Sequence, residues 1–152
     1  MSTELQQGKL EQLEPGNPFL KLERGTNQDS SETALEAPLF DFASTQHQLG
    51  ARLVRIPANR AFARHIHPNA FHFIYVVDGT GVLEYDGASY ILKPGEYCLV
   101  CKGVAHKLGA GTDGLLAMII NSPTYENGDP AHVHYLEAET LESVEVVGNG
   151  HS

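Results

Sequence analysis

The stretch His65-Ile66-His67-Pro68-Asn69-Ala70-Phe71-His72 places three of the chain's eight histidines within eight residues. On a strand the side-chain period is two, so His65 and His67 share a face. Pro68 and Asn69 break that strand and let the chain turn back. His72 then opens an antiparallel neighbour, where His72, Ile74 and Val76 share one face and Phe73, Tyr75 and Val77 take the other. Three imidazoles converge from two paired strands. A fourth, His106, follows a glycine turn after two further hairpins. One strand histidine is ordinarily a surface or hydrogen-bonded residue, but several buried together are costly without a partner. A metal removes that cost, because neutral imidazole is a common ligand.

Working outward, short β segments recur every 8 to 12 residues, as in sandwiches and barrels. Ala51 to Pro57 alternates apolar and basic residues, and Phe62 to His67 is the next run. Phe71 to Asp78 is aromatic and β-branched. Gly79-Thr80-Gly81 is a turn before Val82 to Tyr85, and Asp86-Gly87 signals a tight hairpin. Ser89 to Leu92, Glu96 to Cys101 and Gly114 to Asn121 complete the set. Pro38 to Phe42 reads as a first edge strand and Tyr135 to Leu141 as a short helix. An all-β chain with this many hairpins must hide its edges, which a jelly roll or closed barrel does. Three parts are expected: a polar N-terminal arm over 1–35, able to pair a strand with a partner; a barrel over 36–125; and a tail over 126–152 packing on the barrel.

Length and charge set the class. The chain has 152 residues and 41% hydrophobic composition, enough for one ordinary core. The net charge is -9 and no basic stripe stands out, which excludes nucleic acid as a partner. The acidic excess, Glu32, Glu36, Asp41, Glu137, Glu139, Glu142 and Glu145, reads as a solubility feature. No apolar run has the length of a membrane span, and the start lacks the marks of a secretory signal, so a cytoplasmic protein is expected. Cys98 and Cys101 have C-x-x-C spacing, but on a strand they point to opposite faces, which favours two reduced buried thiols. His132 and His134 form a second H-x-H that reads as solvated loop; a lid over the barrel mouth is the alternative.

The segment resembles the first motif of the cupins, seen in germin-like proteins as H-x-H-P with a glutamate five residues after the second histidine. His65 and His67 match the pair, His72 stands at the glutamate position, and Asp78-Gly79 with Gly81 matches the glycine-bearing turn. Pro94-Gly95, Gly103 and His106 resemble the second motif, with Cys101 in place of its second proline and Ala110 in place of its closing asparagine. The resemblance covers about residues 49 to 121 and implies a cupin double-stranded β-helix, or jelly-roll barrel. It also implies metal ligands at His65, His67, His72 and His106.

The cupin site usually contains one carboxylate; here four neutral imidazoles would leave a divalent ion uncompensated. Fe(II) or Zn is expected first, with Ni, Co, Cu or Mn as further candidates. The alternatives are a three-histidine site completed by water, or a relic without metal. Alternation assigns Phe62, Ile74, Val76, Tyr97, Leu99 and Met118 to the substrate pocket. The resemblance implies a small-molecule substrate, a homodimer, and a dioxygenase-type reaction, or alternatively a Lewis-acid isomerase or polyketide-cyclase type. A non-catalytic small-molecule-binding cupin is the remaining class. No carboxylate outside the ligand positions stands near the motifs, which weakens simple hydrolysis.

Overall fold

The computed structural model describes residues 5–7, 21–22, 34–125, 129–137 and 142–143. The strands are β1 (Lys21–Leu22), β2 (Leu35–Pro38), β3 (Gly50–Ile56), β4 (Arg60–Ala61), β5 (His65–Ile66), β6 (Phe71–Tyr85), β7 (Ala88–Leu92), β8 (Tyr97–Val100), β9 (His106–Ser122), β10 (His134–Tyr135) and β11 (Glu142–Ser143). All pairings among them are antiparallel and they curl into one β-barrel. Among the described residues there is no α-helix; the one helical turn is a 3₁₀ segment at Phe42–Thr45. Its N-cap is Asp41, whose Oδ1 accepts from the Ala43 amide at 3.0 Å.

β6 and β9 are the spine. β6 buries every second residue at its start: His72, Ile74 and Val76 are buried, while Phe71, Phe73 and Tyr75 are not. Ile74, Val76 and, further along β6, Leu83 join Val54, Ile56, Leu108 and Leu115 in the core. Each such aliphatic side chain contributes about 1.5–3 kcal/mol by leaving water. β9 runs beside β6 and also pairs β3, β4 and β5, so both sides of the barrel hang on one strand.

The expected turn at Gly79 to Gly81 is instead a pair of register shifts inside a continuous β6. Bulges bend a strand without ending it, and so turn the sheet into a barrel corner. Gly79 has φ +76°, and a Cβ there would lie 2.2 Å from the Gly114 carbonyl oxygen. The two strands touch backbone to backbone at this corner.

Other boundaries also shift. Of the run Phe62 to His67 only His65–Ile66 is strand, as β5; β4 ends before the run at Ala61, and His67 lies just beyond β5. The strand in this region is β2, Leu35–Pro38, not Pro38 to Phe42, and it lies between β1 and β3 rather than at an edge. Tyr135 lies in a strand rather than a helix, and residues 138–141 fall outside the described residues. Most of the 1–35 arm also falls outside them; Lys21–Leu22 pairs with β2 of its own chain.

Gly79→Ala should lower the unfolding free energy by about 2 kcal/mol or more, read as a shift of the urea midpoint. Gly87 has φ +84° with nothing within 4 Å of its would-be Cβ. Gly87→Ala should therefore cost only about 1 kcal/mol, from backbone strain alone.

Candidate metal centre

β5, the start of β9 and the start of β6 meet at one end of the barrel. His65 is the register partner of His106, and His72 pairs with both Val100 and Asn121. The four imidazoles at 65, 67, 72 and 106 are all buried. One ring nitrogen each from His65, His67 and His106 lies within 4.8 Å of the others, a grouping that can hold a metal ion.

The outer nitrogens explain how. His65 Nδ1 lies 2.6 Å from the Ala63 carbonyl oxygen. His67 Nδ1 lies 2.8 Å from the His132 carbonyl oxygen, and His106 Nδ1 lies 2.9 Å from that of Val104. A carbonyl oxygen only accepts, so each Nδ1 carries the proton and donates. The Nε2 atoms of the neutral rings are left with bare lone pairs. Those of His65 and His67 face each other at 3.1 Å. Two lone pairs repel at that distance, and a cation bound to both removes the conflict. Nitrogens at adjacent positions on one ion, each about 2.1 Å from it, are about 3.0–3.4 Å apart. The donor set therefore fits a divalent transition metal.

Burial is the main force holding the His67, His72 and His106 imidazoles below the usual histidine range. Neighbouring imidazoles add to this: His72 and His106 act on His67, and His106, His132 and His65 act on His72. The backbone hydrogen bonds of His67 and His106 oppose the shift without cancelling it. Neutral rings are the form that binds metal.

His72 differs from the trio. Its ring stacks on His67 at 3.6 Å between centroids, and its Nε2 is buried without a hydrogen-bond partner.

A cavity of about 50 Å³ opens beside these rings. Of the six pocket residues expected from alternation, Phe62 and Ile74 line it. Val76 is buried in the core behind it. Tyr97 and Leu99 are 64% and 52% exposed, so their assignment to the pocket is corrected. On β8 it is Cys98 and Val100 that turn inward, opposite Ile74 and His72. Met118 does not line the cavity; its β6 partner is Tyr75, which faces away from His72 and Ile74.

Six cavity residues were not assigned to the site from the sequence: Glu36, Arg52, Val54, Leu108, Ile119 and His132. His132 is 3% exposed and lines the cavity, which corrects its reading as solvated; His134 is exposed. Glu36 is buried there too, its Oε1 2.6 Å from Arg52 Nε. Arg52 Nη1 donates to Asn121 Oδ1 at 3.2 Å, and the guanidinium lies 4.6 Å from the centre of the Phe42 ring. A carboxylate outside the ligand positions is thus present after all. Its signal was weak because charge on an N-terminal strand normally marks solvent.

Cys98 and Cys101 are free and partly buried, and burial pushes the Cys98 thiol up to about 11. A thiol so reluctant to ionise is a poor ligand or nucleophile.

Residues 52–121 match the family model of the cupin domain. Solved structures share the fold. KdgF from Halomonas sp. is 18% identical with TM-score 0.57, covering 69% of this chain and 89% of that one. A cupin-like protein from Thermotoga maritima is 22% identical with TM-score 0.59, covering 76% and 87%. A predicted oxalate decarboxylase from the same organism is 20% identical with TM-score 0.56, covering 68% and 93%. A search of curated proteins finds no match. Residues 52–121 of the chain are a cupin domain. No helix of its described residues is long and apolar enough to cross a membrane.

The depressed histidines fix a pH dependence. Their folded values lie below the unfolded value of 6.5, so between the two the unfolded chain binds more protons. Stability of the metal-free protein should be full above pH 6.5 and fall steadily below it. Thermal melts from pH 7.5 to 5 check this; a midpoint that rises on acidification contradicts it.

Proposed function

We propose that this protein is a metal-dependent enzyme acting on a small organic substrate, with one divalent transition metal held by His65, His67, His72 and His106. The observation that carries the reading is the set of three Nδ1–H to carbonyl bonds, which turns three Nε2 lone pairs toward one point. The orphaned Nε2 of His72 supports it as the fourth donor. An all-nitrogen set favours Fe(II) or Zn, with Ni, Co, Cu or Mn following, over Mg or Ca.

The finer proposal is a dioxygenase-type oxidoreductase. A bound ion would supply Lewis acidity and, if iron, oxygen chemistry at positions the protein leaves open. The chain's own contribution is orientation and dryness. Backbone carbonyls fix the rings, while Phe62, Ile74, Leu108 and Ile119 wall the cavity with apolar surface. Four neutral ligands leave the ion's charge to be balanced by the substrate, which favours enolates, diolates and carboxylates.

A second reading, a Lewis-acid isomerase or cyclase, is favoured by Glu36. Its carboxylate, in the cavity wall beside Arg52, is a group that could accept a substrate proton. Homodimer formation and a cytoplasmic site of action belong to the same proposal. The outward Phe71, Tyr97 and Leu99 on β6 and β8 support an apolar contact between copies.

Metal analysis after anaerobic purification, with oxygen uptake on catechols, β-diketones and flavonols, separates the readings. Iron with substrate-dependent uptake supports the oxygenase, whereas zinc without uptake overturns it in favour of Lewis-acid chemistry or simple binding. His72→Ala should lower metal occupancy while His132→Ala, which keeps its main-chain carbonyl, should not. Equal occupancy in wild type and His72→Ala would reduce the site to three histidines.

A further inference from the structure

β5 is two residues long, yet it carries His65, and His67 follows it directly. One edge of β5 is covered by β9 through the His65–His106 pair. The other is covered by β10, where His134 pairs with Ile66 and Tyr135 with His65. Further along, the Leu136 amide donates to the Arg64 carbonyl at 2.9 Å, and the Arg64 amide donates to Glu137 Oε1 at 2.8 Å.

The ligand segment grips back. Asn69 Nδ2 donates to the Ala131 carbonyl at 3.0 Å, and His67 Nδ1 donates to the next carbonyl, that of His132, at 2.8 Å. Asp129 shapes this turn. Its Oδ1 accepts from the Ala131 amide and its main-chain oxygen from the His132 amide, both at 2.9 Å. Two consecutive carbonyls of the tail thus hold the segment between two of the proposed ligands. Residues 129–137 lie outside the 52–121 cupin-domain match, so this contact belongs to this chain's own tail.

We infer that residues 129–137 are a strap whose docking is coupled to metal binding, and that Asn69 is the positioning residue that fastens it. The inference rests on the metal reading above. Only the docked strap gives His67 Nδ1 its acceptor, which fixes both the tautomer and the ring direction. Undocked, His67 can protonate the wrong nitrogen or turn away. The metal then binds the docked state more tightly, and by reciprocity the metal favours docking. Asn69 acts on His67 through the strap rather than by touching the ion.

The test uses the full chain with zinc, measuring affinity by chelator competition and docking by amide hydrogen exchange. Zinc should slow exchange at the His132 and Leu136 amides by about tenfold or more, as expected where binding suppresses local opening. Loss of an outer partner typically weakens metal binding 10–100-fold, so Asn69→Ala, which removes only the fastening, should weaken zinc by about 3–10-fold. It should also raise exchange at those two amides and leave the β6–β9 core amides as in wild type, which a general loss of stability would not do. Exchange at His132 and Leu136 that ignores zinc, or wild-type zinc affinity in Asn69→Ala, overturns the strap while leaving the metal site standing. A wild-type protein that takes up no zinc overturns the metal reading, and the strap with it.

Discussion

A carbonyl oxygen can only accept a hydrogen bond, and three of them decide what this protein can do. The main-chain oxygens of Ala63, Val104 and His132 each take the Nδ1 proton of a buried histidine. Each bond selects one tautomer and one ring direction, and together they gather bare Nε2 atoms at one end of the barrel. Two acceptors lie just two residues before the histidine they hold, so extended local chain supplies them. The third comes from 65 residues away. Without these bonds the four rings would be a costly cluster of buried polar groups. With them the cluster is a preorganised donor set.

The barrel makes this possible by keeping β6 and β9 continuous. A turn at Gly79 would have split β6 and separated the strand end bearing His72 from the hairpin leading to β7. A bulge bends the strand instead, and the close backbone approach of Gly79 to Gly114 lets the corner close. His72 and His106 thus sit near opposite ends of β6's pairing with β9, at Asn121 and Tyr85 respectively, and are brought together only because the sheet curls.

The cavity has a second polar feature in the Glu36–Arg52 pair. Removing two charges from water costs several kcal/mol per ion, which a close pair with added hydrogen bonds can offset. Arg52 has those bonds, through Asn121, Thr124 and the Tyr125 carbonyl. The pair ties β2 to β3, β9 and the segment after β9. It places a carboxylate where the cavity otherwise offers imidazoles and apolar walls.

The sequence by itself determined the all-β class, the cupin resemblance, and the inward face of β6 with His72, Ile74 and Val76. It also marked the histidines at 65, 67 and 106 as a group. These are consequences of period-two alternation and of local turns, which act within a few residues. Only the tertiary structure decided what completes the site. Tyr97 and Leu99 point outward because β8 pairs with β6 in a register that turns Cys98 and Val100 inward. His132 and Glu36 lie within the cavity although both sit in polar terminal stretches that resemble solvated chain. Their burial comes from β10 pairing with β5 and β2 pairing with β3. Such pairings depend on which distant segments meet across the barrel, and no local pattern in the sequence encodes that.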